Sequence, residues 1–180
     1  MTVQAGLEGH VEKVARSLLG MRLRTEFDGR VTEILLTEVE AYGGSDDAAS
    51  HAYRGPNGRN GSMFGPPGTL YVYRSYGVHW CANITAGPEG NGRAVLLRGG
   101  VPLEGESVMA QRRGRMDRLV DGPGKLAQAL GIDGDHDGTS VIDGPVRLLA
   151  GRGAVPGIVA TPRVGISKAR ERLWRFVLVR

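Results

Sequence analysis

The chain has 180 residues, a net charge of +4 and a pI near 9.6, with 41% hydrophobic and 23% charged residues. That length suits one domain over residues 1–180, since a chain of about 150 residues buries roughly 70% of its unfolded surface, and the composition excludes wholesale disorder. Low mean hydropathy (-0.20) and no apolar run near about 18 residues exclude a membrane span. The start Met1-Thr2-Val3-Gln4 lacks the pattern of an export signal, and the lone Cys81 excludes an internal disulfide framework, so a cytoplasmic location is expected. The positive charge is carried mainly by arginine, in clusters at Arg112-Arg113-Arg115-Arg118 and Arg163-Lys168-Arg170-Arg172-Arg175. It is compatible with a polyanionic partner or with a plainly solvated surface.

In chain order, Val11, Val14, Ala15, Leu18 and Leu19 recur at helical spacing and stop at Gly20, which predicts an amphipathic helix with a glycine C-cap. Met21 to Phe27 and Val31 to Glu40 flank Asp28-Gly29, a hairpin signal. The period of two puts Glu38 and Glu40 on one side of the second strand, near its end. From Gly43 to Gly68 the residues are rich in Gly, Pro, Asn, Asp and Ser, which predicts a long ordered loop with a helical turn capped by Ser45 or Asp46. A second hairpin is predicted around Tyr76-Gly77, from Leu70 to Tyr76 and from Val78 to Thr85. A strand over Arg93 to Arg98 and a helix over Glu104 to Arg113 follow. Asp121-Gly122-Pro123-Gly124-Lys125 opens a short helix, Leu126 to Leu130, ending at Gly131, and Leu173 to Val179 closes the chain as a strand. Residues 131 to 160 otherwise carry no clear signal. The pattern is α+β: a single domain on a curved, mostly antiparallel sheet or open barrel, with flanking helices and a protruding β-hairpin.

Glu40 is the most pointed residue, because a carboxylate at a strand end beside Tyr42 and a loop is placed to act as a general base; the alternative is a solvated strand-end glutamate. Tyr71 and Tyr73 share one face by alternation, whereas Tyr76 sits at a hairpin tip, where a large ring reads as a wedge between stacked bases rather than as core. His10, His51, His79 and His136 have no ligand spacing and Cys81 has no second cysteine, so no metal site is expected. Gly122-Pro123-Gly124-Lys125 resembles a helix N-terminal anion site but lacks the full phosphate-loop spacing, which argues against nucleoside triphosphate hydrolysis.

Together, Thr37-Glu38-Val39-Glu40-Ala41-Tyr42, His51, Met63-Phe64, Pro67-Gly68-Thr69-Leu70-Tyr71-Val72-Tyr73, Tyr76-Gly77, Cys81-Ala82-Asn83, Val95-Leu96-Leu97-Arg98, Gly122-Pro123-Gly124-Lys125-Leu126 and Arg163-Val164-Gly165 resemble the alkyladenine (3-methyladenine) DNA glycosylase family. The resemblance implies a monofunctional enzyme that flips damaged purines out of double-stranded DNA and hydrolyses the N-glycosidic bond. Glu40 would activate the water and Arg98 position it. Tyr42 and Tyr73 would sandwich the flipped base, with His51 on a third side, its main-chain amide facing the purine 6-position. Asn83 would crowd the 2-amino group of guanine, Val164 line the pocket floor and Tyr76 fill the vacated stack. Tyr76, Lys125 and Arg59 are the expected DNA-binding residues. No cofactor is implied, and a monomer is expected.

The chemistry is consistent with these residue types. Sugar–base cleavage passes through an oxocarbenium-like state that a carboxylate stabilises, and cationic alkylpurines gain about 0.5–2 kcal/mol on tyrosine faces. The sequence departs from the family's pattern at Arg54-Gly55-Pro56-Asn57-Gly58-Arg59-Asn60, where a Thr-Pro-Arg run is usual, and at Gly99, where alanine commonly follows the arginine. The first bears on phosphate contacts, and the second is expected to be neutral. The competing readings are a catalytically silent nucleic-acid-binding module and a hydrolase of free nucleosides. Retention of Glu40 and Arg98 speaks against the first, and the exposed Tyr76 with a basic surface against the second.

Overall fold

The Asp28-Gly29 pair takes left-handed backbone at both residues (φ 53° and 70°), the geometry of a two-residue hairpin turn matched to strand twist. It joins β1 (Arg22–Phe27) to β2 (Arg30–Tyr42), paired antiparallel from Arg22↔Leu35 to Phe27↔Arg30. The computed structural model describes residues 3–151, 153, 155 and 157–179; Met1 and Thr2 of the N-terminal reading lie outside them. Before β1 comes α1 (Val11–Leu18), whose Val11, Val14, Ala15 and Leu18 are all buried. Burial stabilises each such leucine or valine by about 1.5–3 kcal/mol. Leu19 is the C-cap and Gly20 follows it in left-handed backbone (φ 80°), one place later than a cap in the strict sense.

The remaining elements are β3 (Leu70–Ser75), β4 (His79–Thr85), β5 (Ala94–Glu104), α2 (Glu106–Arg113), α3 (Pro123–Leu130), β6 (Val146–Leu149), β7 (Ile158–Thr161) and β8 (Arg175–Leu178). Among the described residues they form one eight-stranded sheet, six strands in the order β3-β4-β5-β2-β1-β6 with β8 paired to β2 and β7 to β8, every pairing antiparallel, curled into a half-barrel. The helices pack on it, α1 against β2 and β5 and α3 against β4 and β5, around one core that runs from Leu7 to Phe176. The expected α+β class holds.

The thirteen-residue β2 is the spine. Its first half pairs with β1, its last third pairs with β8 through Glu38↔Val177, Val39↔Phe176 and Glu40↔Arg175, and its other edge runs along β5. Register shifts between Leu36 and Val39 loosen the β5 pairing where the partner changes, and Glu38 and Glu40 lie on either side of that last shift.

Several boundaries differ from the sequence reading. The strand expected over Arg93 to Arg98 continues to Glu104, because Gly99, Gly100 and Pro102 are absorbed at irregular register with β2. The next helix begins at Glu106 after left-handed Gly105, α3 already begins at Pro123, and the last strand is shorter than expected. Residues 131 to 160 hold β6 and the start of β7. The turn Gly44–Asp46 is capped by neither Ser45 nor Asp46, which lie within it; instead Asp47 accepts the Gly43 and Ala49 N–H groups at 3.0 and 3.2 Å.

Candidate active site

Strand β2 delivers Glu40 into the interior, where it is 0% exposed. A buried carboxylate is costly unless its oxygens are satisfied, and here both are. Oε1 accepts the main-chain N–H of Val164 at 2.7 Å and lies 3.4 Å from Arg98 Nη1; Oε2 accepts the Tyr42 hydroxyl at 2.9 Å. Arg98, from the facing β5, donates through Nε to Glu38 Oε1 at 2.8 Å, and Arg175 of β8 donates to the same oxygen at 2.7 Å. Burial raises the Glu38 carboxyl, but Arg175 and Arg98 outweigh it and hold it below the usual range. Burial likewise lowers the Arg98 guanidinium, yet Glu40 and Glu38 leave it firmly cationic. Alternation does place both carboxylates on one side of β2, and Arg98 spans them.

Beside this network is an aromatic recess. Tyr42 and Tyr73 pack with Phe64 against buried Ala52, Met63, Tyr71 and Ala94. The Tyr71 and Tyr73 ring centroids are 5.5 Å apart, and the His51 ring meets Tyr73 nearly edge-on at 4.5 Å. His51 Nδ1 is 3.0 Å from the Tyr71 hydroxyl. Although part of the residue stays exposed, the desolvation of its ring lowers the His51 pKa and favours neutral imidazole. Burial pushes Tyr71 up to about 12 and raises Tyr73 well above its ordinary value, and burial together with Glu40 does the same for Tyr42, so all three are neutral phenols.

Asn60 Nδ2 donates to the His51 carbonyl at 2.9 Å and so fixes this loop segment, while the His51 main-chain N–H has no acceptor among the described residues. Asn83, 4% exposed, donates from its side chain to the Tyr71 carbonyl at 3.0 Å. Val164 is half-exposed, with its amide on Glu40. The fold thus gathers Glu40, Arg98, Tyr42, His51, Tyr73, Asn83 and Val164 in one region.

The three expected DNA contacts lie outside that recess. Tyr76 is 93% exposed at the β3–β4 tip and Val78 beside it is 63% exposed. Tyr76 also has left-handed backbone (φ 50°), a conformation that costs a non-glycine residue about 1–2 kcal/mol. Lys125 is on α3 and pairs with Asp121 at 2.8 Å, so part of its charge is spoken for. It remains near the tip, since the neighbouring Gly124 packs on His79 of β4. Arg59 is exposed in the long loop and has no ion-pair partner among the described residues.

Sequence reasoning assigns no site role to four residues of this region. Tyr71 is 3% exposed and carries the His51 contact. Arg175 shares Glu38 with Arg98. Asp47 and Arg163 form a fully buried bidentate pair. Arg163 had been grouped with a surface cluster of positive charge, and that grouping is corrected by its burial. The available signals were an acid inside a Gly- and Ser-rich loop and an arginine between Pro162 and Val164. Their 116-residue separation hid the pairing.

A surface basin of about 700 Å³ lies elsewhere, over Arg22, Arg24, Glu33 and Glu104. Those four are tied together in cross-strand ion pairs of 2.7 to 3.1 Å, and no aromatic side chain is among the described residues that line the basin. Among the described residues, no helix is long and apolar enough to cross a membrane.

A curled antiparallel half-barrel thus holds a buried carboxylate, an arginine opposite it and an aromatic recess. The chain belongs to the methylpurine-DNA glycosylase family, whose model matches residues 6–180. It is similar to proteins bearing the assigned name 3-methyladenine DNA glycosylase. One from Rhodopseudomonas palustris (strain BisB18) is 50% identical over 170 residues, covering 93% of this chain and 82% of that protein. Another from Frankia casuarinae is 49% identical over 182 residues (92% and 82%), and one from Corynebacterium glutamicum (ATCC 13032) is 49% identical over 166 residues (91% and 85%). The chain is a DNA glycosylase, a hydrolase of N-glycosyl bonds that acts on DNA.

Proposed function

We propose that this glycosylase is monofunctional and initiates base excision repair by flipping alkylated or deaminated purines out of duplex DNA and hydrolysing the glycosidic bond with water. The observation that carries the reading is Glu40: a wholly buried carboxylate, held by the Val164 amide and the Tyr42 hydroxyl, facing Arg98 at the edge of a tyrosine-lined recess. Glu40 takes the proton of the attacking water and its charge stabilises the oxocarbenium-like sugar, while Arg98 orients the water. The damaged base lies between Tyr42 and Tyr73 with His51 at its edge. Neutral phenol rings suit a cationic alkylpurine through cation–π attraction. The unused His51 amide donor favours an acceptor at the purine 6-position and disfavours the amino group of normal adenine. Asn83 crowds the 2-amino group of guanine, and Val164 lines the floor.

Flipping costs a few kcal/mol, least for damaged or mispaired bases. Tyr76 offsets it by filling the gap in the stack, and Lys125 and Arg59 bind phosphate. No cofactor is required. The enzyme works as a monomer in the cytoplasm, at the nucleoid, and its residues 1–180 act as one domain.

The test is release of methylated purines from dimethyl-sulfate-treated duplex DNA under single-turnover conditions. Glu40→Gln keeps the fold and undamaged-DNA binding but slows release by about 10²–10⁴-fold, the usual contribution of a general base. Release at the wild-type rate would remove Glu40 from the mechanism. Activity that persists in EDTA, with no borohydride-trapped enzyme–DNA adduct, supports water as the nucleophile.

A further inference from the structure

The buried pair Asp47–Arg163 joins three separate segments around the reaction centre. Asp47 belongs to the loop that leads to His51, and its carboxylate takes both Nη1 and Nη2 of Arg163, the latter at 2.8 Å. Both side chains are wholly buried. Nη1 of Arg163 also donates to the Ala41 carbonyl at 2.9 Å, between Glu40 and Tyr42 in the chain. The guanidinium lies 4.8 Å from the Tyr42 ring centroid and 5.5 Å from that of Trp174, so it is layered between the two rings. Trp174 is anchored in turn by its carbonyl, which accepts the Ala41 N–H at 2.8 Å. Residue 164, directly after this arginine, presents its amide to Glu40. Burial would raise the Asp47 carboxyl, but Arg163 and the Gly43 amide hold it below its ordinary range, so the pair is ionised in the folded protein.

A buried ion pair often contributes little net stability compared with apolar residues of equal volume, so stability alone does not explain this one. Its directionality does more. A planar fork locked on a carboxylate fixes the arginine in position and angle as an ammonium group cannot. Here the locked group lies against the Tyr42 ring, and the next residue in the chain, Val164, donates its N–H to Glu40.

We propose that Asp47 and Arg163 are positioning residues for base excision: their bidentate pair holds the Val164 amide on Glu40 and the Tyr42 ring in stacking position. This rests on the assignment of Glu40 as the base. Neither residue touches substrate. They act through Val164 and Tyr42, and displacing such groups by about 1 Å can cost on the order of 10²-fold in rate.

The test compares wild type, Glu40→Gln, the double variant Asp47→Leu/Arg163→Met, which leaves no unpaired buried charge, and Arg163→Lys, which keeps a cation opposite Asp47. Each is examined for single-turnover release of methylated purines at saturating enzyme, for binding to undamaged duplex, and for the Val164 amide signal in a ¹H–¹⁵N NMR spectrum. The double variant is expected to melt cooperatively and bind undamaged duplex within about twofold of wild type, yet to release purines at least about tenfold more slowly, with the Val164 amide proton moved upfield. Arg163→Lys is expected to lie between the two in both rate and amide shift. A merely structural role would lower the melting temperature and leave the rate of the folded enzyme and the amide signal unchanged. The proposal is overturned if either folded variant releases purines within about twofold of wild type while Glu40→Gln is inactive. Should the double variant not fold, Arg163→Lys decides alone by the same two readouts. If instead Glu40→Gln excises normally, the base assignment fails, whereas an upfield-moved Val164 amide in Arg163→Lys still supports the positioning contact.

Discussion

The Glu40 recess and the Tyr76 tip are built on opposite principles. In the recess nearly every polar group already has its partner: Glu40 has Val164, Tyr42 and Arg98, Glu38 has Arg98 and Arg175, and His51 has Tyr71. At the tip two apolar side chains, Tyr76 and Val78, stand in water, one of them on strained backbone. The recess is finished before substrate arrives, as electrostatic preorganisation requires. The tip gains its contacts only when something covers it. Damage to the first should slow chemistry, and damage to the second should weaken capture.

Glu38→Gln attacks the recess most directly after Glu40 itself. The amide cannot serve two guanidinium groups as an anion does, and hydrogen bonds to charged groups are worth about 1.5–3 kcal/mol. Part of that should appear as lost stability in urea unfolding, and part as a slower single-turnover rate, because Arg98 loses the anchor that aims Nη1 at Glu40. Unchanged kinetics with lowered stability would separate Glu38 from the catalytic network.

Tyr76→Ala probes the tip. Folding should be unaffected, since the ring is exposed and alanine keeps the Cβ that strains left-handed backbone, while stabilisation of the extruded nucleotide falls by about 1–3 kcal/mol, as for other base–aromatic stacks. A lesion base that brightens on unstacking reports the flipped fraction. Binding to undamaged DNA, governed by Lys and Arg contacts to phosphate, should keep its salt dependence. Equal flipping and excision by the alanine variant would reduce Tyr76 to a turn residue.

Titration gives a smaller effect, confined to the recess. The folded His51 pKa lies below its ordinary 6.5, so the unfolded chain binds the proton more readily. Its contribution to stability is therefore full above about pH 6.5 and is lost as pH falls through the folded value. His51→Gln should flatten stability against pH in that acidic window, measured by urea midpoints across pH.

The smallest expected effect is Gly99→Ala. The sequence comparison suggests neutrality, but an added Cβ would stand 3.3 Å from Glu38 Cβ, tighter than ordinary contact. A loss of about 1 kcal/mol in thermal or urea unfolding is expected, at the low end for overpacking, with a slight fall in rate through Glu38.

Much of the frame was legible because its signals are local. The Asp28-Gly29 turn, the four-residue rhythm of α1 and the left-handed Gly131 that ends α3 each lie within a few residues of what they control. Elements stabilised from a distance were not. The strands β6 and β7 have four residues apiece, too few for a pattern of their own, and their identity comes from pairing with β1 and β8. Glycine and proline in β5 read as a stop, yet the strand persists because β2 accommodates the irregular register. The candidate site divides in the same way. Glu40, Tyr42 and the Tyr76 tip could be located from strand ends and turns, and the roles of His51, Asn83 and Val164 came through family resemblance. The burial of Arg163 followed from an aspartate 116 residues earlier, which no periodicity reveals.

The junction of β2 with β8 is made of contacts far apart in sequence, which bears on the order of folding. Glu38 and Glu40 pair with Val177 and Arg175, and the Glu40 carboxylate waits for an amide 124 residues further along the chain. Contacts of such long sequence separation carry a high loop-closure cost and tend to form late. A growing polypeptide could therefore assemble its first hairpin and α1 while the reaction centre is still open and inert. With Glu40 as the base, as proposed above, glycosidic cleavage would begin only when the C-terminal segment has docked on the spine, and local fraying there would slow cleavage without unfolding the rest. Hydrogen exchange at Val164 and Val177 would then track activity more closely than exchange at the centre of β1.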